Sequence, residues 1–469
     1  MSTAPAPADD PRVPLGLRNG AAVFLVALAG LMLANLAPLV MAVLEDVGFD
    51  VIASGNILTW ALLASALVGL GTSRPAAGRH RRTIAVVGLV IAIIGFLAAA
   101  SIASPTVIVA GLIAGGAGVG AAISTSGAAI AAIENPNRVS ATSGVVNRLL
   151  VMVVLGVIPA IGLAQITVFG ALALLSALSL AVTIWLPATP DYSSAVIAAE
   201  SPAGTRAPRK VVLAGIGILI VFPLWGTSED SVWTLAPVLG DSVGLSEQSL
   251  GFALSAAAGC GAAAMLIVML LGTRIGRTVP LAVALILGGV TKIWIGMTTD
   301  PQTLAVLIVV VNTIYAFAFV LFIATAAGLD ARGYWSGPLV GAYIVGSSFA
   351  PLLGAWVIDT VGIPAFGLIM GIVSFVVVIP TVLIARVSTS VERTLTHLGE
   401  DSPTPPADPS TSDTSPTEAT ATTTDSSTDA DASDSDSATD SSSDSSSEST
   451  GGRDSTAGDS ASDSTERTS

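Results

Sequence analysis

The chain has 469 residues, 52% of them hydrophobic and only 11% charged, with one cysteine and two histidines. That leaves too few charges to coat a soluble protein of this length, and too few cysteines and histidines for a disulfide framework or a metal cluster. The net charge of −14 belongs to one end: residues 387–469 hold 18 Asp/Glu against 3 Arg, which leaves 15 acids and 16 bases elsewhere, so it implies neither a nucleic-acid partner nor a basic substrate.

Residues 1–18 form a short, polar, Pro-rich N-terminus. Apolar runs follow near 20–43, 52–72, 83–103, 106–132, 143–162 and 164–187. Each is near the length that crosses a ~30 Å hydrocarbon core at ~1.5 Å per residue. The first run lacks a small-residue cleavage site and reads as a retained helix rather than a signal peptide. A polar linker, 188–209, carries Pro190, Pro202 and Pro208. Six more runs lie near 211–240, 248–272, 279–298, 302–327, 338–358 and 363–385. The seventh reads as one long helix with Glu229 and Asp230 in its outer half. In lipid, helices satisfy their own backbone groups, and these runs are too long and continuous for barrel strands. Residues 387–469 are Ser, Thr, Asp, Ala and Pro with almost no large apolar residue, and such a segment cannot offset the entropy of folding. A disordered tail is expected there, either solvating or regulatory.

Basic residues cluster in loops of one parity: Arg74, Arg79, Arg81 and Arg82; Arg138 and Arg148; Arg206, Arg209 and Lys210; Arg274 and Arg277; Arg332; Arg386. The alternate loops carry Glu45, Asp46, Asp50, Asp241, Glu247, Asp300 and Asp359. The positive-inside rule then places both termini in the cytoplasm of a multi-pass protein of the cell membrane and supports twelve crossings.

The two halves repeat each other. Glu45-Asp-Val-Gly48 aligns with Asp241-Ser-Val-Gly244, and Pro159 with Pro351. Gly71-Thr-Ser-Arg74-Pro-Ala-Ala-Gly78-Arg79 has a shorter copy in Gly272-Thr-Arg274-Ile-Gly276-Arg277. A parallel repeat of six helices plus six points to two bundles about an axis along the membrane normal. The expected fold is therefore an all-α membrane protein of twelve transmembrane helices in two pseudo-symmetric six-helix bundles, 19–187 and 210–386.

With these loops the chain resembles the major facilitator superfamily over about residues 18–386. The family's loop reads roughly Gly-x-x-x-Asp-Arg-x-Gly-Arg-Arg, and its Asp is absent here. The resemblance implies a gating role for Gly71, Arg74, Gly78, Arg79, Gly272, Arg274, Gly276 and Arg277. Gly346-Ser-Ser-Phe-Ala-Pro351-Leu-Leu-Gly354 looks like the family's antiporter Gly/Pro motif. Pro159, Gly346, Pro351 and Gly354 are read as helix kinks or as close-packing points.

Polar groups inside the membrane are costly and mark transport sites. Trp225, Glu229 and Trp233 stand at i, i+4 and i+8 on one face, with Asp230 beside them. A carboxylate among indoles suits proton exchange or an organic cation, although a wet outer mouth with interfacial Trp is the plainer reading. Asn35 is placed by the repeat opposite Asp230 and Ser231. Asn312 and Tyr315 lie near mid-membrane. Lys292 reads as snorkelling outward, and Arg148 as a cytoplasmic-interface anchor or, alternatively, as a gate or anion contact.

No nucleotide loop, nucleophile triad or metal constellation is apparent, so no cofactor and no enzymatic activity are expected. The function expected is secondary active transport of a small solute by alternating access, extending to proton-coupled efflux. An uncoupled facilitator and a sodium-coupled uptake permease are the alternatives, with a membrane sensor or scaffold as the rival of another class.

Overall fold

The computed structural model of the protein describes residues 13–134, 136–188, 208–271, 276–329 and 335–400. Most of the expected linker, nearly all of the expected disordered tail, and Gly272 and Arg274 lie outside the described residues.

The described chain is helical. The first half holds α1 (Leu17–Asn35), α2 (Ala37–Asp46), α3 (Val51–Ala77), α4 (Arg81–Ser101), α5 (Pro105–Ala131), α6 (Pro136–Ile161) and α7 (Gln165–Val182). The second holds α8 (Arg209–Thr234), α9 (Ala236–Ser242), α10 (Glu247–Leu271), α11 (Thr278–Met297), α12 (Pro301–Ala327), α13 (Ser336–Ser348) and α14 (Ala350–Glu400). Eleven stretches are long and apolar enough to span a membrane, and the last, Pro338–Val391, has 54 residues. At ~1.5 Å per residue it is long enough to cross twice, and α14 breaks at Gly362 (φ 81°, ψ 169°), where only glycine adopts the conformation freely. The structure therefore agrees with twelve crossings. Large aliphatic side chains such as Ile94, Ile220 and Ile379 point outward, each more than 60% exposed, as lipid-facing positions require.

The first and seventh crossings are not single helices as expected. Each is interrupted at a leucine, Leu36 (φ −91°, ψ 9°) and Leu235 (φ −91°, ψ 11°). The cause is local: Pro38 and Pro237 stand at the start of the next helix, and a proline lacks the N–H and crowds the carbonyl one turn back. The tripeptide Leu-Ala-Pro at 36–38 recurs at 235–237, so both bundles carry the same break. This register corrects the expected pairing, because the counterpart of Asn35 is Thr234 and not Asp230 or Ser231.

The twelfth crossing was expected to end at 386, yet the helix continues to Glu400. Val387 and Val391 pack against the second bundle's core, and the Ser388 hydroxyl donates to the Thr325 carbonyl (2.7 Å). Two apolar residues four apart and one satisfied hydroxyl hold the helix to the bundle beyond residue 386.

Within the first bundle α5 packs closely against α3 and α4. A Cβ added at Gly116 or Gly120 would collide with the Ala61 or Ser65 carbonyl. Only glycine permits backbones this near, as is common between membrane helices. Between bundles, the approach is tightest in the half remote from the chain's termini, here the far end. The Gly55 α-carbon lies against the Pro351 carbonyl and Ala355, and Gly251 lies against Pro159. The Leu352 N–H donates to Thr59 Oγ1 (3.1 Å), and the Ser255 hydroxyl donates to the Met152 carbonyl (2.7 Å).

Candidate functional site

Between the bundles, from the level of the two breaks toward the terminal end, lies a cavity of about 220 Å³. Its walls come from both halves: Asn35, Asn147 and Arg148 from the first, Asp230, Trp233, Asn312, Tyr315, Tyr343 and Ser347 from the second. Asp230 and Arg148 are the two charged residues of its lining.

On α8, successive residues point about 100° apart, as 3.6 residues per turn dictates. Asp230 therefore faces the cavity while Glu229 turns into its own bundle. Tyr343 and Ser347 stand four apart on α13, on one face. Both hydroxyls donate to Asp230 Oδ2, Tyr343 at 2.7 Å and Ser347 in a very short bond. The Tyr315 hydroxyl shares a hydrogen bond with that of Tyr343 (2.6 Å). A chain of hydroxyls thus ends on the carboxylate.

Across the cavity, the Arg148 Nη1 donates to Asn312 Oδ1 (3.2 Å), and the guanidinium lies 5.4 Å from the centre of the Tyr315 ring. Of the two readings of Arg148 this overturns the interface anchor and leaves the gate or anion contact. The anchor reading began the fifth apolar run at 143, but α6 begins at Pro136, which places Arg148 about 18 Å along the helix at ~1.5 Å per residue. Asn35 also meets the site. Its amide donates to Asn147 Oδ1 (3.4 Å), and its carbonyl accepts from the Trp233 indole N–H (3.3 Å), a bond across the two bundles.

Glu229 and Trp225 are not in the main cavity. Trp225 is buried, stacked on Tyr315 with ring centres 5.5 Å apart. Glu229 pairs with Lys292 (2.7 Å), and both side chains are almost wholly enclosed. The Lys292 ammonium also donates to Ser228 Oγ and Ser374 Oγ, each at 2.7 Å. Snorkelling is thus overturned, because three acceptors inside the bundle match its three N–H groups. A void of about 20 Å³ between Glu229, Asp230, Asn312 and Tyr315 is large enough for one water.

The expected kinks divide into two sorts. Pro351 stands just after the junction of α13 and α14, whereas Gly346 and Gly354 are points where α8 comes close, at Pro223 and at Ser231 and Leu235. Pro159 lies inside α6 against Gly251 of the other bundle. Of the expected gating residues, Gly71 and Arg74 fall within α3, and Gly78 and Arg79 follow it. Gly276 (φ 68°) and Arg277 precede α11, where Arg277 Nη1 reaches Ser388 Oγ at 3.5 Å.

At the far end the repeat brings two further acids together. Glu45 lies in the last turn of α2, and burial first, then the charge of Asp241, push its carboxyl up to about 7. Its Oε1 is enclosed and has no hydrogen-bond partner, as suits a protonated acid. The folded chain then keeps a proton that the unfolded chain releases, so stability should fall as pH rises from 4.5 to about 7. We expect the melting temperature of the wild type to drop across that window and the slope to flatten in Glu45→Gln. Equal slopes in the two proteins would remove Glu45 as the cause.

Compared with known proteins, the chain matches the family model described as Major Facilitator Superfamily at residues 22–329 and 218–422. No curated protein sequence matches it. Among solved structures, the fold is similar to that of the human organic anion transporter MFSD10 (TETRAN), with a TM-score of 0.60 and 17% identity over 78% of this chain and 99% of that one. It is also similar to a D-xylose-proton symporter, with TM-score 0.61 and 15% identity over 78% and 96% of the two chains. The nucleoside transporter NupG gives 0.55 and 14% over 79% and 99%. At such identities the likeness is one of fold.

Proposed function

The chain belongs to the Major Facilitator Superfamily and is a multi-pass membrane transporter, not an enzyme; from that premise we propose that it carries a small solute by alternating access and exchanges a proton at Asp230. The observation that carries the proposal is the position of Asp230, the one carboxylate among the described residues that line a cavity between two bundles. A carboxylate there is exposed to one side of the membrane at a time as the bundles rock. The hydroxyls of Tyr343 and Ser347 hold it in place. Glu229, the other acid considered, is engaged by Lys292, which favours Asp230 as the proton carrier. Proton coupling is also a property of one of the similar structures.

The basic loops lie at the terminal end, so the positive-inside rule supports cytoplasmic termini in the cell membrane and a cavity that faces the cytoplasm. The likeness of the Gly346–Gly354 segment to the antiporter motif, with the acids of the seventh crossing, supports efflux over uptake.

The test is proton flux in proteoliposomes loaded with a pH-sensitive dye and challenged with organic anions, cations, amino acids and sugars. A solute-evoked pH change in the wild type should vanish in Asp230→Asn while solute exchange at equal concentrations persists. Coupled flux that survives Asp230→Asn would exclude this carboxylate, and solute flux with no pH change in the wild type would favour the uncoupled facilitator or sodium coupling.

A further inference from the structure

The charge of the cavity carries an inference that rests on the transport reading above. Arg148 is only 8% exposed. Of its guanidinium N–H groups, one donates to Asn312 Oδ1 (3.2 Å). Among the described residues the ion pair found is Lys292 with Glu229, and none involves Arg148. Asp230, the other charged lining residue, already has Oδ2 bound by two hydroxyls of its own bundle. Asp230 and Arg148 feel each other's charge across the cavity without forming a contact ion pair. A buried cation with no anion in contact is costly, and a fork of N–H donors is the geometry that pairs with an oxyanion.

Two further donors flank it. Asn147 Oδ1 accepts from Asn35, and Asn312 Oδ1 accepts from Arg148. Each oxygen is thus occupied, while neither Asn147 Nδ2 nor Asn312 Nδ2 donates to another described residue. Both amides line the cavity. One guanidinium and two carboxamide N–H₂ groups therefore present free donors to the same space, and Leu33, Leu62 and Phe319 supply apolar wall around it. The cavity, about 220 Å³, is smaller than the roughly 300–1,000 Å³ of drug-sized sites.

We infer that the solute is a small organic anion whose carboxylate or phosphonate oxygens pair with Arg148, assisted by Asn147 and Asn312. Arg148 comes from the first bundle and Asn312 from the second, so the oxyanion bridges the two halves.

The experiment is equilibrium binding to the purified full chain in detergent, with no gradient. The probes are benzoate, succinate and methylphosphonate as oxyanions, tetramethylammonium as cation and xylose as neutral solute, all at matched ionic strength, read by melting temperature and by tryptophan fluorescence. At least one oxyanion should bind, at least tenfold more weakly to Arg148→Gln, with Arg148→Lys between because it keeps the charge and loses the fork. The Lys variant also controls for misfolding of the Gln variant. Binding of none of the three oxyanions, binding only of tetramethylammonium or xylose, or equal oxyanion affinity in wild type and Arg148→Gln would overturn the assignment. The readout involves no proton movement, so loss of coupling at Asp230 leaves it standing, and its own failure leaves coupling to another solute class intact.

Discussion

Oxidising a Gly156→Cys/Ser255→Cys variant is expected to stop transport, and reduction to restore it. Gly156 lies on α6 of the first bundle and Ser255 on α10 of the second. A Cβ built on Gly156 stands 3.6 Å from the Ser255 Cβ, within the ~3.5–4.5 Å that a disulfide spans. The pair sits in the far half, where the bundles touch at Gly55 and Gly251. Alternating access requires these surfaces to part when the cavity turns to the other side. A covalent link across them would hold the observed state. Solute flux should fall to the level of empty liposomes, while binding from the open side persists. Cys260, the single native cysteine, is replaced by Ala so that only the engineered pair can oxidise. Full flux in the oxidised protein, with the cross-link verified by mass, would mean that the bundles do not separate along this seam.

The second large effect concerns the enclosed ion pair. Lys292→Met alone and Glu229→Gln alone should each destabilise the protein, by about 3–5 kcal/mol, because each leaves a buried charge without its partner. The double variant should recover most of that loss, because two neutral side chains of similar size need no counter-charge. The ammonium has its three acceptors in Glu229 Oε1, Ser228 Oγ and Ser374 Oγ, so removing the carboxylate leaves the hydroxyls unable to neutralise it. Melting curves of the four proteins in detergent give the cycle. Single variants within about 0.5 kcal/mol of wild type, the range of ordinary surface changes, would show that the pair contributes little. The pair also bears on mechanism: α8 carries the acid and α11 the base, so the ion pair fixes the rotation of α8 and thereby aims Asp230 at the cavity.

Much of the architecture was legible in the sequence. Apolar runs of about twenty residues, the alternation of basic and acidic loops, and the Gly48/Gly244 and Pro159/Pro351 correspondences all record the same constraint. A bilayer demands apolar length and internal backbone bonding, and both are properties of a one-dimensional stretch of chain. Asn35, Asn312, Tyr315, Asp230 and Trp233 stand out in such runs as polar or amphipathic residues, and the structure brings all five to the wall of one cavity. The two helix breaks were missed although their signal, Leu-Ala-Pro repeated at 36–38 and 235–237, is plainly present.

What the sequence could not contain is the direction in which each side chain looks. Glu229 and Asp230 are neighbours in the chain, yet the ~100° step of a helix sends one into the bundle and the other into the cavity. The partner that takes Glu229 is Lys292, which is remote in the chain and was read as facing lipid. The anchor reading of Arg148, held beside that of a gate or anion contact, arose because the start of an apolar run and the start of its helix do not coincide. Hydropathy by itself indicated how many times this chain crosses. Only the packing of one helix against another decided which charges are paired and buried and which are left to meet a solute, because a charge is matched through space and not along the chain.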